Sequence, residues 1–411
     1  MKLHEIKTEW EKYIVLRDKY IIDVVMASMI GNLLIDSDPL WLLITAPSSG
    51  GKTTIINPVV DIPSVFFVDD LTEKTFLSGY KIKGKDTSLL KMIGSGIMVF
   101  SDFTSILSKN IVSRGEILSQ LKLVYDGKLT KYTGTGGALW QGKMGVVACS
   151  TPDIYSHLEA GRSTGERFIY YWMDIPSDDE ITLKQEQVSM SSKDMTLIMK
   201  DMYREYFECV KQFSIKHGVR DLVMNDYQKD RLRKASMFCV NGKTTIHTNF
   251  KNGKVDQIPN KASVGRDSKM FGTLLRTLQL MYAYEINDPD AKVQDYMIDI
   301  VEKCAYSSIN RERRAILEIL AGANEKELTA TQIGNMNGLG LEKEGVGMFL
   351  APLFAVGLVK RSIEGKSHKW FIPAGWNRDF IIKTAGSVPQ IQLKDIEEAT
   401  DTEIDDEFDN F

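Results

Sequence analysis

Residues 46–53 read Ala46-Pro47-Ser48-Ser49-Gly50-Gly51-Lys52-Thr53. They fit the spacing G-x-x-x-x-G-K-[ST], with Ala46 at the first glycine position. This combination suits holding a chain of phosphates. Small residues let the backbone curl until several N–H groups face one anion. Ser48, Ser49, Gly50, Gly51 and Thr54 would line that cradle, and Lys52 would reach the β- and γ-phosphates. The Thr53 hydroxyl would sit on Mg²⁺, so ATP and Mg²⁺ are the expected cofactors.

Phosphate chemistry needs further groups, and the chain offers candidates. Asp102 closes the apolar run 96–102 and supplies a carboxylate for Mg²⁺ or for the attacking water. Thr151 closes the run 146–151 and can sense a γ-phosphate. Arg162 and Arg167, in GRSTGERF, are candidates for a charge-stabilising finger supplied to a neighbouring subunit. Arg266, Lys269 and Arg276 could add a basic contact from a lid, or simply lie on a solvated helix face. Asp69 and Asp70 are further acids near a strand end. Lys128, Lys131, Tyr132, Trp140 and Lys143 lie around a Gly-rich turn, where cations can meet nucleic-acid phosphates and rings can stack on bases.

These groups must be carried by elements that converge. The run 40–45 reads as a buried strand before the phosphate loop, and a helix opens at Thr53. Strands are expected at 65–68, 96–102, 146–151 and 167–172, with helices at 86–94 and 113–124 and a hairpin over 127–143. Strands alternating with helices imply a parallel α/β sheet. The expected organisation is an N-terminal helical segment over 1–38, the ATPase core over 39–176 and a helical lid over 177–308. Helices at 311–320, 329–336 and 345–358 and strands at 359–362 and 369–372 predict a winged helix over 309–376. Residues 393–411 are acidic and poor in apolar groups, so a disordered tail is expected there.

Composition narrows the classes. The chain has 411 residues and 43% hydrophobic content, enough for two or three domains with real cores. Its four cysteines form no CxxC pair and its five histidines no metal-spaced pair, which argues against a zinc site or a disulfide framework. The run 21–35 is too short to span a bilayer and is interrupted by Asp23 and Asn32, so a cytoplasmic protein is expected. Nine acids and one lysine give 393–411 a charge of −8, leaving +4 on the rest of a chain whose net charge is −4. That segregation permits nucleic-acid binding.

The order of these motifs resembles AAA+ ATPases of the MCM-like helicase group. Ser101-Asp102-Phe103-Thr104-Ser105-Ile106-Leu107 is similar to the acidic motif followed by Phe and a helix in that family, and Gly165-Glu166-Arg167-Phe168 to its finger motif. The string FSDFTSIL followed by LKLVYDGKLTK also looks like ATPases carried by phages and integrative elements. The resemblance spans 40–176 well, 262–285 loosely and 310–375 by architecture alone. It implies a hexameric ring on single-stranded or forked DNA, with the hairpin in the channel. It also implies a helicase or translocase serving replication of a phage or mobile element, in a bacterial cytoplasm. Two departures stand out: Ser101 takes the place of the first acid of the family's pair, and Thr151 that of its asparagine. A helicase loader or replisome adaptor, and a nucleotide-gated DNA-binding regulator, are the alternative readings. The acidic tail, ending in Phe408 and Phe411, is similar to tails that dock on a polymerase, primase or single-strand binding protein.

Overall fold

The structure is a computed structural model. It describes all residues except 79–80, 83–84, 134–135, 156–166, 188–191, 245, 247–254, 256–262, 324–325, 337–342, 365–366, 374–375 and 386–411. The chain forms two compact units, one of residues 1–229 and 265–304, the other of 230–264 and 305–411. Residues 178–229 and 265–304 belong to the first of these units.

The first unit is built on a parallel five-stranded sheet. Helices α1 (Leu3–Tyr13) and α2 (Ile21–Leu34) precede β1 (Trp41–Thr45) and α3 (Lys52–Ile56). Then come β2 (Val65–Phe67), the short pair β3 (Lys81–Ile82) and β4 (Lys85–Asp86), α4 (Leu89–Ile93) and β5 (Gly96–Phe100). Helices α5 (Thr104–Leu107) and α6 (Ile111–Tyr125) lead into the hairpin β6 (Lys128–Thr133) and β7 (Gly136–Gln141). Strands β8 (Met144–Ser150) and β9 (Phe168–Trp172) complete the sheet, in the order β2-β5-β8-β1-β9. Every residue of β1, β5 and β8 is buried, as expected of parallel strands covered on both faces. This mixed α/β arrangement is consistent with a P-loop-like core.

Helix α2 shows why polar residues interrupt an apolar run. Asn32 donates to Ser28 O and Leu40 O and accepts from Leu40 N at 2.8 Å, tying the helix to the entry of β1. Its amide lies so near β8 that a Cβ on Gly145 would come within 2.4 Å. Asp23, also buried, pairs with Lys7 of α1 at 2.5 Å. Burial is the larger influence and pushes its carboxyl pKa up.

Helices α7 (Asp178–Gln187), α8 (Ser192–His217), α10 (Val264–Ile286) and α11 (Asp295–Tyr306) follow the sheet, and α8 packs on α2 and α1. Helix α9 (Asp226–Lys243) contains the chain's first passage from the first unit to the second, and α11 contains the other. The second unit further contains α12 (Arg311–Gly322), β10 (Leu328–Thr329), α13 (Ala330–Asn335), α14 (Lys343–Ala355), β11 (Lys360–Glu364), β12 (Ser367–Phe371) and α15 (Trp376–Ala385). Its antiparallel sheet has the order β10-β12-β11. The sequence reading had the three helices and the strands β11 and β12 but missed the edge strand β10, two residues long and too short for a periodicity. The expected acidic tail lies outside the described residues. Among those described, no helix is long and apolar enough to cross a membrane.

Candidate nucleotide site

Parallel register brings the strand ends level. Thr45, the last residue of β1, pairs with Ser150 of β8 and Trp172 of β9. Phe100 of β5 pairs with Ala148, and Phe103 N donates onward to Cys149 O at 2.8 Å. The segments that leave β1, β5 and β8 therefore emerge at one edge of the sheet: the phosphate loop, Asp102 and Thr151. Ligand sites of open α/β sheets form at this carboxyl edge.

The loop itself is tightly turned. Gly50 N donates to Pro47 O, and Gly51 adopts a φ of 81°, where a side chain would be strained. A Cβ on Gly50 would lie 3.0 Å from both Pro47 O and the Ile175 side chain, and 3.3 Å from the Ala46 methyl. This explains the departure at Ala46: its methyl packs into space that position 50 leaves empty. Lys52 Nζ lies inside the loop, donating to Ala46 O at 2.6 Å and Pro47 O at 2.7 Å. Burial pulls the Lys52 pKa down, while the charge of Asp102 acts in the opposite sense. The charge of Asp102 is thus felt at Lys52. Cys149, buried beneath, has its thiol pushed up to about 12 by burial, so it stays protonated and inert.

Asp102 is exposed, and its Oδ1 accepts from Thr104 N at 2.9 Å. Thr53 is exposed at the start of α3. One carboxylate and one hydroxyl are hard oxygen donors, and they suit a Mg²⁺ that keeps waters and phosphate oxygens as its other ligands. Among the described residues no cluster of three or more His, Cys, Asp or Glu could hold a metal unaided. Asp70 is held by Lys109 at 2.8 Å, an interaction that lowers its pKa. The Thr151 hydroxyl donates to Asp153 at 3.3 Å.

Other sequence candidates fall elsewhere. Arg167 precedes β9 at the far edge of the sheet, beside Phe168, which pairs with Trp41 at the start of β1. It is 8% exposed, pairs with Asp126 at 3.3 Å and lies over the Tyr125 ring. Arg162 lies outside the described residues. Arg266 and Lys269 are exposed on α10, while Arg276 donates to Arg220 O at 3.0 Å and meets Asp221. Arg276 thereby braces the 219–221 loop.

The hairpin is two-faced. Leu129, Ala138 and Trp140 point into the core, and Trp140 Nε1 donates to Gly94 O at 2.6 Å. Trp140 is thereby corrected from a base-stacking platform to a core anchor. Lys143 is corrected as well: its ammonium donates to Ile35 O at 2.7 Å and Gly31 O at 3.2 Å, satisfying carbonyls at the end of α2. Lys131 reaches Glu73 O at 2.6 Å. Outward lie Lys128 and Tyr132, the latter 85% exposed with its ring against Gly137.

One cluster had no signal in the sequence. Asp18 accepts from Tyr171 Oη at 2.6 Å, Asp174 N at 2.9 Å and Lys303 Nζ at 2.7 Å, and Lys303 also meets Asp174 at 2.7 Å. It ties the N-terminal segment and α11 to the end of β9, one residue before the Ile175 that flanks Gly50. Only a compositional hint, an aspartate between α1 and α2, could have drawn attention to it.

No protein-family model matches the chain, and no curated protein matches it. Among solved structures it is similar to the SCCmec type IV Cch active helicase, at 13% identity and a TM-score of 0.40. The similarity covers 96% of this chain and 66% of that one, so the chain spans just under two thirds of that helicase's length.

Proposed function

We propose that this chain is an ATP-driven DNA helicase or translocase. In this reading it works as a homo-oligomeric ring, a hexamer by its resemblance, in replication of a phage or mobile element. The observation that supports it is the meeting of Lys52, Asp102 and Thr151 at one edge of a parallel sheet. The β2-β5-β8-β1-β9 order and the alternating helices support an AAA+ core. The helix and strand order of 311–371 supports a winged helix.

Bound Mg²⁺–ATP supplies the phosphoanhydride whose hydrolysis drives the cycle. Lys52 exchanges its two carbonyl acceptors for phosphate oxygens. Backbone N–H groups of Ser48 to Thr54, apart from that of Gly50, which donates to Pro47 O, hold the remaining phosphate charge. Thr53 and Asp102 would hold the metal, and Asp102 would also act on the attacking water. Thr151 senses the γ-phosphate, and Arg167 acts on the site of a neighbouring copy. Lys128 and Tyr132, with Lys131 beside them, grip the DNA strand.

A second reading, a helicase loader or replisome adaptor, is favoured by one observation. Two of the hairpin region's three lysines are held by carbonyls of their own fold, so few cations face outward. The exposed face of α14 weakens base reading too, since Met348 and Phe354 occupy it. ATP-dependent separation of a forked DNA duplex, with Lys52→Ala as control, tests the proposal. Unwinding lost in the variant supports a self-sufficient helicase. ATP hydrolysis stimulated by single strands without unwinding selects the adaptor. Tight ATP binding without hydrolysis on any nucleic acid would select a nucleotide-gated regulator.

A further inference from the structure

We propose that Thr104 is a positioning residue that locks the Asp102 and Thr151 strand ends into one unit. The inference rests on the nucleotide-site reading above and adds a residue that the motifs do not name. Thr104 opens the short helix α5, just after the strand β5 that delivers Asp102. Its backbone N–H donates to Asp102 Oδ1 at 2.9 Å and so sets the carboxylate's orientation. Its side chain crosses to the neighbouring strand. Thr104 Oγ1 lies 2.8 Å from Ser150 Oγ, and Thr151 N donates to it over a longer 3.4 Å. Ser150 Oγ in turn donates to Thr151 O at 3.1 Å.

Donor and acceptor bookkeeping gives these bonds a direction. The Thr151 amide can only donate, and the Thr151 carbonyl can only accept. Ser150 has one hydroxyl proton, and it goes to that carbonyl. The proton of Thr104 must therefore point at Ser150 Oγ. The result is a closed circuit, from Thr151 N–H to Thr104, to Ser150 and back to Thr151 C=O. The Thr151 N–H is held by the Thr104 hydroxyl, and the Thr151 carbonyl by the Ser150 hydroxyl together with Ile154 N at 3.2 Å, rather than by a sheet ladder. The half-buried position of Thr104 shelters the circuit from competing water. Thr104 touches neither phosphate nor metal in this scheme. It fixes the spacing between the carboxylate that acts on metal or water and the hydroxyl that senses the γ-phosphate. Such spacing matters because small misplacements of catalytic groups cost large factors in rate.

Thr104→Val keeps the branched shape and removes the hydroxyl, and Thr104→Ser keeps the hydroxyl. Full-length wild type, both variants and Lys52→Ala are compared for binding of a fluorescent ATP analogue and for steady-state and single-turnover ATP hydrolysis. Thr104→Val should bind the analogue within about twofold of wild type, hold KM and lower kcat about tenfold. Thr104→Ser should return to within about threefold. Wild-type kcat in Thr104→Val overturns the proposal and leaves the site reading standing. Loss of binding and of melting temperature in Thr104→Val, unrescued by serine, overturns it in favour of a purely structural threonine. Absence of Lys52-dependent binding in wild type removes the site reading, and the role of Thr104 with it.

Discussion

Arg167 and Asp126 meet at 3.3 Å through both carboxylate oxygens, joining the entrance of β9 to the end of α6 just before the hairpin. The guanidinium also lies 5.4 Å from the Tyr125 ring centroid. A five-residue strand, about 16 Å long, separates Arg167 from the edge that holds the phosphate loop. Within one copy the arginine is an anchor, and any contact with a phosphate has to be made across an interface. Arg167→Ala should lower stability by about 1–3 kcal/mol through lost contacts of a nearly buried guanidinium with Asp126 and Tyr125, the loss being limited because the aspartate left behind is half exposed and can be solvated. Mixing Arg167→Ala with Lys52→Ala chains distinguishes the roles. A mixture more active than the sum of its parts indicates a trans finger, and simple additivity indicates an anchor alone.

Gly50 is closely hemmed in within the loop that follows β1. A methyl there meets Pro47 O and Ile175 at 3.0 Å, and the backbone oxygen cannot turn aside without opening the loop. Gly50→Ala should weaken binding of an ATP analogue more than tenfold, with a melting temperature close to that of wild type. Isothermal titration and a thermal melt check both parts. Binding at wild-type strength would show that the loop relaxes freely.

The two faces of the hairpin should separate stability from DNA response. Trp140→Ala removes a buried ring and should cost about 3–5 kcal/mol in urea unfolding. Tyr132→Ala and Lys128→Ala alter exposed groups and should change stability by less than about 0.5 kcal/mol. Both should reduce stimulation of ATP hydrolysis by single-stranded DNA severalfold and leave the basal rate intact. Unchanged stimulation in the double variant would remove the outer face from the DNA path.

Lys143 gives the fold a pH signature. Burial pulls its pKa from 10.5 down to about 8, against the opposing pull of Asp36 and Asp38. Between those values the unfolded chain holds a proton that the folded chain has released. Raising the pH through that window therefore favours the folded state. Relative to Lys143→Met, wild type should gain stability from pH 8 to about 10.5, as read from urea midpoints. A constant difference between the two proteins would mean that the ammonium titrates normally.

The tight Gly-rich turn after β1, the strand before Asp102 and the alternation of strands and helices were legible in the sequence because local rules write them. Glycine marks the turn, unbroken apolar runs mark parallel strands, and a Gly-Lys-Thr triplet marks the loop's end. The same rules placed a hairpin at 127–143 but could not assign its faces. Trp140 and Lys143 read as nucleic-acid contacts by residue type. Their partners, Gly94 O and Ile35 O, lie 46 and 108 residues away in the chain. Strand order, the Thr104 circuit and the Asp18–Lys303 pair across 285 residues were decided by tertiary structure alone. A hydrogen bond needs only two groups within about 3 Å, and one-dimensional spacing records that only when both lie on the same element.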